Sequence, residues 1–124
     1  MIFTFPIKKN KEFMKLYKKG KFFVAKYLVL YVISNKSKVN RLGITASKKF
    51  GGSVKRNRIR RLIKECYRHY EGQLKEGFDL VFVARSSDGM PDFSDIKREM
   101  KFLLKKGNLF DMEKVDWKVF LFIS

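Results

Sequence analysis

Residues Arg41 to Tyr70 read RLGITASKKFGGSVKRNRIRRLIKECYRHY. An alternating run opens this stretch, a glycine pair divides it, and a long helical pattern closes it. Ile59, Leu62, Ile63, Cys66, Tyr67 and Tyr70 recur at the i, i+3, i+4, i+7 spacing of one buried helical face, which predicts a helix starting near Ser53. At about 100° per residue, Arg56, Asn57, Arg60, Arg61, Lys64 and Arg68 fall opposite that apolar stripe, with Arg58 at its far edge. From Lys48 to Arg68 the sole acidic residue is Glu65, so the cationic face cannot neutralise itself by i, i+4 pairing and needs an external polyanion. Gly51 and Gly52 permit a tight turn ahead of the helix, and Ser53 is the expected cap of a helix end whose free N–H groups favour phosphate.

The rest of the chain agrees with that reading. Its 124 residues fit one domain with a real core. The 29 Lys and Arg against 12 Asp and Glu leave a net charge of +17, which points to nucleic acid or an anionic membrane surface. A hydrophobic content of 45% rules against a disordered basic tail. Cys66 is the single cysteine, on the apolar helical face, which excludes an internal disulfide and makes inert packing its expected role. At the N-terminus the lysines follow the apolar run and no small-residue cleavage site comes after it, so no signal peptide is expected. No stretch approaches the roughly 20 apolar residues of a membrane helix, and a cytoplasmic location follows most simply.

Residues 1 to 8 read as an extended lead-in. Asn10 is the expected cap of a short helix with Glu12 in its first turn, lysines in its last and Gly20 beyond its end. Phe13 and Tyr17 sit at i, i+4 on that helix, either as core or as an aromatic pair that stacks on bases. Lys21–Ala25 and Tyr27–Ser34 read as strands of a hairpin or meander. On the second, Tyr27, Val29, Tyr31 and Ile33 share one face and Leu28, Leu30 and Val32 the other. In Arg41 to Ser47 the side carrying Gly43, Thr45 and Ser47 is small and polar. Laid beside the strand of Tyr31, it would floor a shallow groove with the first helix as a wall. FDLVFVARS is a buried strand, so strand, basic helix and strand form a βαβ unit. Asp92 is the expected cap of a third helix with Phe93, Ile96, Met100, Leu103 and Leu104 on its apolar face and Gly107 at its end. An α/β sandwich follows. The tail, EKVDWKVFLFIS, alternates like an extra strand, and three uses fit it: adding to a sheet edge, covering the groove, or self-association into a homo-oligomer.

The chemistry of phosphodiester cleavage is absent. There are no clustered carboxylates of the kind that hold metal ions, His69 is the single histidine, and Asp92, Asp95 and Glu99 lie among lysines where capping and i, i+4 pairing explain them. No Walker A loop, GxSxG, HExxH or zinc-type cysteine pattern occurs. Catalysis, if this protein serves any, belongs to a partner.

The stretch RLGITASKKFGGSVKRNRIRRLIKECYR, with FMKLYKKG, LVLYV and FDLVFVAR in support, resembles the signature of the bacterial ribonuclease P protein subunit, over about Lys8 to Phe110. The resemblance implies an α/β (α+β) two-layer sandwich with an about four-stranded mixed sheet, three helices and a left-handed βαβ crossover. It implies one RNA-binding domain over 1–112, followed by the apolar tail 113–124. It implies further that Lys48, Lys49, Lys55, Arg56, Asn57, Arg58, Arg60, Arg61, Lys64 and Arg68 contact a catalytic ribonuclease P RNA. Phe13, Tyr17 and Tyr31 would line a groove for the single-stranded 5' leader of precursor tRNA. No cofactor is expected on the protein alone, and Mg2+ is expected of the RNA-containing holoenzyme. Charge and helix alone fit a ribosomal or architectural RNA-binding protein equally well. A metal-dependent nuclease acting alone and a membrane-surface protein fit less well.

Overall fold

The computed structural model describes residues 4–86 and 89–115. Its elements run β1 Thr4–Pro6, α1 Asn10–Lys19, β2 Lys21–Val24, β3 Leu28–Ser34, β4 Asn40–Ala46, α2 Ser53–Tyr70, β5 Phe78–Ala84 and α3 Phe93–Lys106. The strands form one mixed sheet in the order β1-β4-β5-β3-β2. β1 and β5 run parallel to β4, and β3 runs antiparallel to both β5 and β2.

The alternation along the strands divides the core. Leu28, Leu30, Val32, Leu42, Leu80 and Phe82 point to one face and are buried with Ile59, Ile63, Cys66 and Tyr67 of α2 and Ile96, Met100, Leu103 and Leu104 of α3. Each fully buried aliphatic side chain in that layer contributes about 1.5–3 kcal/mol. The opposite face carries a smaller cluster of Ile7, Leu16 and Val81, flanked by Phe13, Tyr31, Ile33 and Val83. Among the described residues two helices therefore cover one side of the sheet, and α1 covers part of the other.

The hand of the β4-α2-β5 crossover follows from one hydrogen bond. Leu42 turns its side chain to the helix layer while its carbonyl accepts from Ile7 N–H on the β1 side, at 2.9 Å. With β4 drawn upward and seen from the helices, an L-residue pointing at the viewer turns its carbonyl to the right. β1 thus lies to the right and β5 to the left, so the chain passes through α2 leftward: the crossover is left-handed. The Leu28 carbonyl, accepting from Ala25 N–H at 2.8 Å, places β2 at the far left by the same geometry. About 98% of such units are right-handed.

Several expectations need correction. The sheet has five strands rather than about four, because Thr4–Pro6 of the lead-in pairs in parallel with Asn40–Leu42. Thr4 Oγ1 and the Tyr67 hydroxyl share a buried hydrogen bond at 2.9 Å that pins this strand to α2. Asn10 is the first helical residue rather than the cap: extended Lys9 takes that position and no side chain caps the helix. Gly52, not Ser53, precedes α2, again without a side-chain cap. Neither Asn10 nor Ser53 adopts the extended backbone from which a cap side chain reaches back to the helix N–H groups. Asp92 does cap α3, accepting from Asp95 N–H at 2.8 Å, while the Asp95 carboxylate accepts from Asp92 N–H at 3.0 Å. Of the tail, Val115 is buried in the helix-side core, and residues 116–124, with the expected extra strand, lie outside the described residues.

Candidate nucleic-acid interface

The face of the sheet toward α1 is built in rows across the strands. Arg41, Asp79 and Ile33 stand in register, then Gly43, Val81, Tyr31 and Phe22, then Thr45, Val83, Val29 and Val24. β5 therefore separates β4 from β3, and the expectation that Gly43 and Thr45 lie beside the strand of Tyr31 is corrected: Val81 and Val83 stand between. Consecutive strands β3 and β4 are not neighbours because β5 inserts between them, a long-range pairing that local alternation does not encode.

α1 covers the first row and the second as far as Tyr31, leaving Phe22 at the sheet edge exposed. It approaches closely over Gly43, where a Cβ would lie 2.5 Å from Phe13 Cε1. Its N-terminal turn is held by Arg41, whose guanidinium pairs with Glu12 and forms two bonds to Asp79, Nε to Oδ1 at 2.9 Å and Nη2 to Oδ2 at 2.6 Å. Asn35 Nδ2 donates to the same Asp79 Oδ1 at 2.9 Å. Burial by itself would raise the Asp79 pKa, but the bonds from Arg41 and Asn35 and the Arg41 charge outweigh it and hold the carboxyl below its ordinary range. The Arg41 hydrogen bond likewise lowers Glu12. Arg41 is thereby a structural clamp rather than a free cation.

Among the described residues the third row stays uncovered and makes a trough. Its wall is a chain of aromatic rings: Phe13 and Tyr17 have centroids 6.5 Å apart, Tyr17 meets Tyr31 edge-on at 4.9 Å and 71°, and Phe22 lies 5.9 Å from Tyr31 at 34°. Phe13 and Tyr31 are half-buried while Tyr17 is exposed, so the helical pair divides: Phe13 wedges α1 onto the sheet, and Tyr17 faces outward. Phe22 is a wall residue that local pattern could not single out. It became legible only through its register opposite Tyr31.

Past the end of β4 the chain turns through a short 3-10 segment, Lys48–Phe50, into α2. Lys48, Lys49, Lys55, Asn57, Arg58, Arg61, Lys64 and Arg68 are exposed, and Arg56 and Arg60 are half-buried. Arg60 Nη1 makes a long 3.4 Å bond to Asn57 Oδ1. Among the described residues Arg68 is the one cation of this set in an ion pair, with Glu65 at 3.5 Å, both side chains more than half exposed. The face is a dense, uncompensated positive surface that adjoins the trough at its Thr45 end. His69, set aside as a proton carrier by the sequence, lies edge-on to Phe93 at 5.5 Å. Cys66 is fully buried, and burial pushes its thiol up to about 12.

A basic helix within a left-handed crossover, and an aromatic trough walled by α1, form the arrangement expected from the ribonuclease P resemblance. The family model described as Ribonuclease P matches residues 4–108. This chain belongs to the ribonuclease P protein family. It is 47% identical over 106 residues to the ribonuclease P protein component of Clostridium botulinum strain Loch Maree, covering 85% of this chain and 96% of that protein. The ribonuclease P protein component of Clostridioides difficile strain 630 is 47% identical over 107 residues, covering 86% and 94%. In three dimensions it resembles the RNase P protein of Staphylococcus aureus, with a TM-score of 0.78 at 32% identity over 86% of this chain and 98% of that one. The RNase P protein of Thermotoga maritima superposes with a TM-score of 0.73 at 28% identity over 82% and 96%. Membership of this family carries association with ribonuclease P and a part in tRNA processing. Among the described residues no helix is long and apolar enough to cross a membrane.

Proposed function

We propose that residues 1–112 act in the cytoplasm as the non-catalytic protein subunit of ribonuclease P, binding the catalytic RNA through the α2 face and the single-stranded 5' leader of precursor tRNA in the trough. The observation that carries this reading is the pairing of a largely uncompensated cationic helix with an aromatic trough that none of the described elements covers. Guanidinium and ammonium groups displace condensed counterions from an RNA backbone, an attraction that carries no sequence preference. Aromatic rings at Phe13, Tyr17 and Tyr31 offer stacking partners to bases of any identity, as leaders of differing sequence require.

Cleavage then rests with the RNA. Five of the described carboxylates are engaged elsewhere: Glu12 and Asp79 hold Arg41, Asp92 and Asp95 cap α3, and Glu99 accepts from Tyr27 N–H at 2.8 Å. Magnesium ions, which polarise phosphoryl oxygens and activate water, would be held by RNA and the scissile phosphate. The protein's part is to bind, orient and discriminate precursor from product.

Reconstitution with ribonuclease P RNA at low magnesium tests this. The holoenzyme should remove the leader and bind precursor tRNA more tightly than mature tRNA. Equal binding of the two would favour an architectural RNA-binding role instead.

A further inference from the structure

We propose that Phe22, on the edge strand β2, is a stacking platform for a leader nucleotide beyond those reached by Phe13, Tyr17 and Tyr31. The inference rests on the leader-binding reading and extends it. Phe22 is 61% exposed, although it stands directly opposite Tyr31 on the face the trough occupies. Its ring, 5.9 Å from Tyr31 and tilted by 34°, continues the aromatic line from α1 across the sheet to its edge. Val24, two residues on and 49% exposed, extends the uncovered floor the same way.

A single exposed phenylalanine needs no explanation. One that closes a line of rings, at the open end of a trough, gains a ring face for a planar ligand. The surrounding charge names that ligand's class. Lys18 and Lys19 end α1 and Lys21 begins β2, all exposed and, among the described residues, without ion pairs. Aromatic faces among unpaired lysines fit a single-stranded polynucleotide, whose bases stack while its phosphates meet cations. The occupant is therefore the leader strand, carried out over β2 after crossing the trough.

The test is the affinity of the reconstituted holoenzyme for precursor tRNAs whose leaders are lengthened one nucleotide at a time. Phe22→Ala should match the unaltered protein on short leaders and fall behind by about 5- to 150-fold once the leader reaches β2. Phe22→Trp should retain the gain. Phe22→Leu, which keeps apolar cover without a ring face, should lose it. The inference is overturned if Phe22→Ala binds every length normally, if it loses equally on all lengths and on mature tRNA, if Phe22→Leu binds as well as phenylalanine, or if Phe22→Ala converts a dimer to a monomer with leader affinity unchanged. Tyr31→Ala separates the two levels. If it abolishes leader dependence while Phe22→Ala does nothing, only the extension fails; if it too leaves leader dependence intact, the trough reading fails with it. Exposure of Phe22 keeps its variants folded, which an unchanged melting temperature checks.

Discussion

Gly43 lies directly beneath the ring of Phe13: a Cβ at position 43 would sit 2.5 Å from Cε1 and 2.8 Å from Cζ, with Val81 Cγ2 at 3.2 Å on its other side. This close approach sets the height of α1 above the sheet and hence the depth of the trough. Glycine is required here for proximity rather than for an unusual backbone angle.

Gly43→Ala should therefore displace Phe13 and with it the trough wall. Because the clash falls on the far end of a half-buried side chain, the stability cost should stay near the lower end of overpacking, about 1 kcal/mol. Leader affinity should drop more steeply. Combining it with Phe13→Leu should restore the melting temperature and leave leader binding impaired, a split that calorimetry and precursor-binding measurements read separately.

The Arg41 clamp predicts an acid-labile contribution to stability. Asp79 has a native pKa below its unfolded value near 3.9, so its stabilisation is complete above that value and is lost as pH falls through the native pKa. Urea melts between pH 2 and 7 should show this loss, flattened in Asp79→Asn. At pH 7 that variant should be destabilised by about 2 kcal/mol, less than the ~3–5 kcal/mol of a fully buried pair, because Arg41 keeps 33% of its side chain exposed.

The exposed α2 cations should act on assembly, not on folding. Arg58→Ala and Arg61→Ala are each expected to weaken binding to ribonuclease P RNA and to reduce the salt slope by about 0.7–0.9 for each phosphate no longer neutralised, with thermal melting unaltered. Glu65→Gln should tighten binding slightly by freeing Arg68 from its exposed 3.5 Å ion pair. Filter binding over a range of salt concentrations measures both.

Cys66 should be inert while the protein is folded. Its thiol is fully buried, its pKa is raised to about 12 and its Sγ donates to the Phe93 carbonyl at 3.7 Å. A thiol-specific reagent at pH 8 should label it only after denaturation. Rapid labelling of native protein would show that the α2–α3 layer opens more readily than its packing implies.

The amino-acid order by itself determined the local features. The buried stripe Ile59, Ile63, Cys66, Tyr67 and Tyr70, the cationic opposite face of α2, the Asp92 cap and the two faces of β3 were all legible, because helical and strand periodicities are properties of neighbouring residues. Capping positions at Asn10 and Ser53 were displaced by one residue, as turn geometry at Lys9 and Gly52 took precedence. What only the tertiary structure decided was the arrangement across the sheet. The parallel pairing of Thr4–Pro6, the insertion of β5 between β4 and β3, the engagement of Arg41 with Glu12 and Asp79, and the place of Phe22 beside Tyr31 each join residues distant in the chain. Periodicity says which way a side chain points, but strand order says what it meets. That order is set by which long-range pairings bury both faces of the sheet together, a quantity no single segment contains.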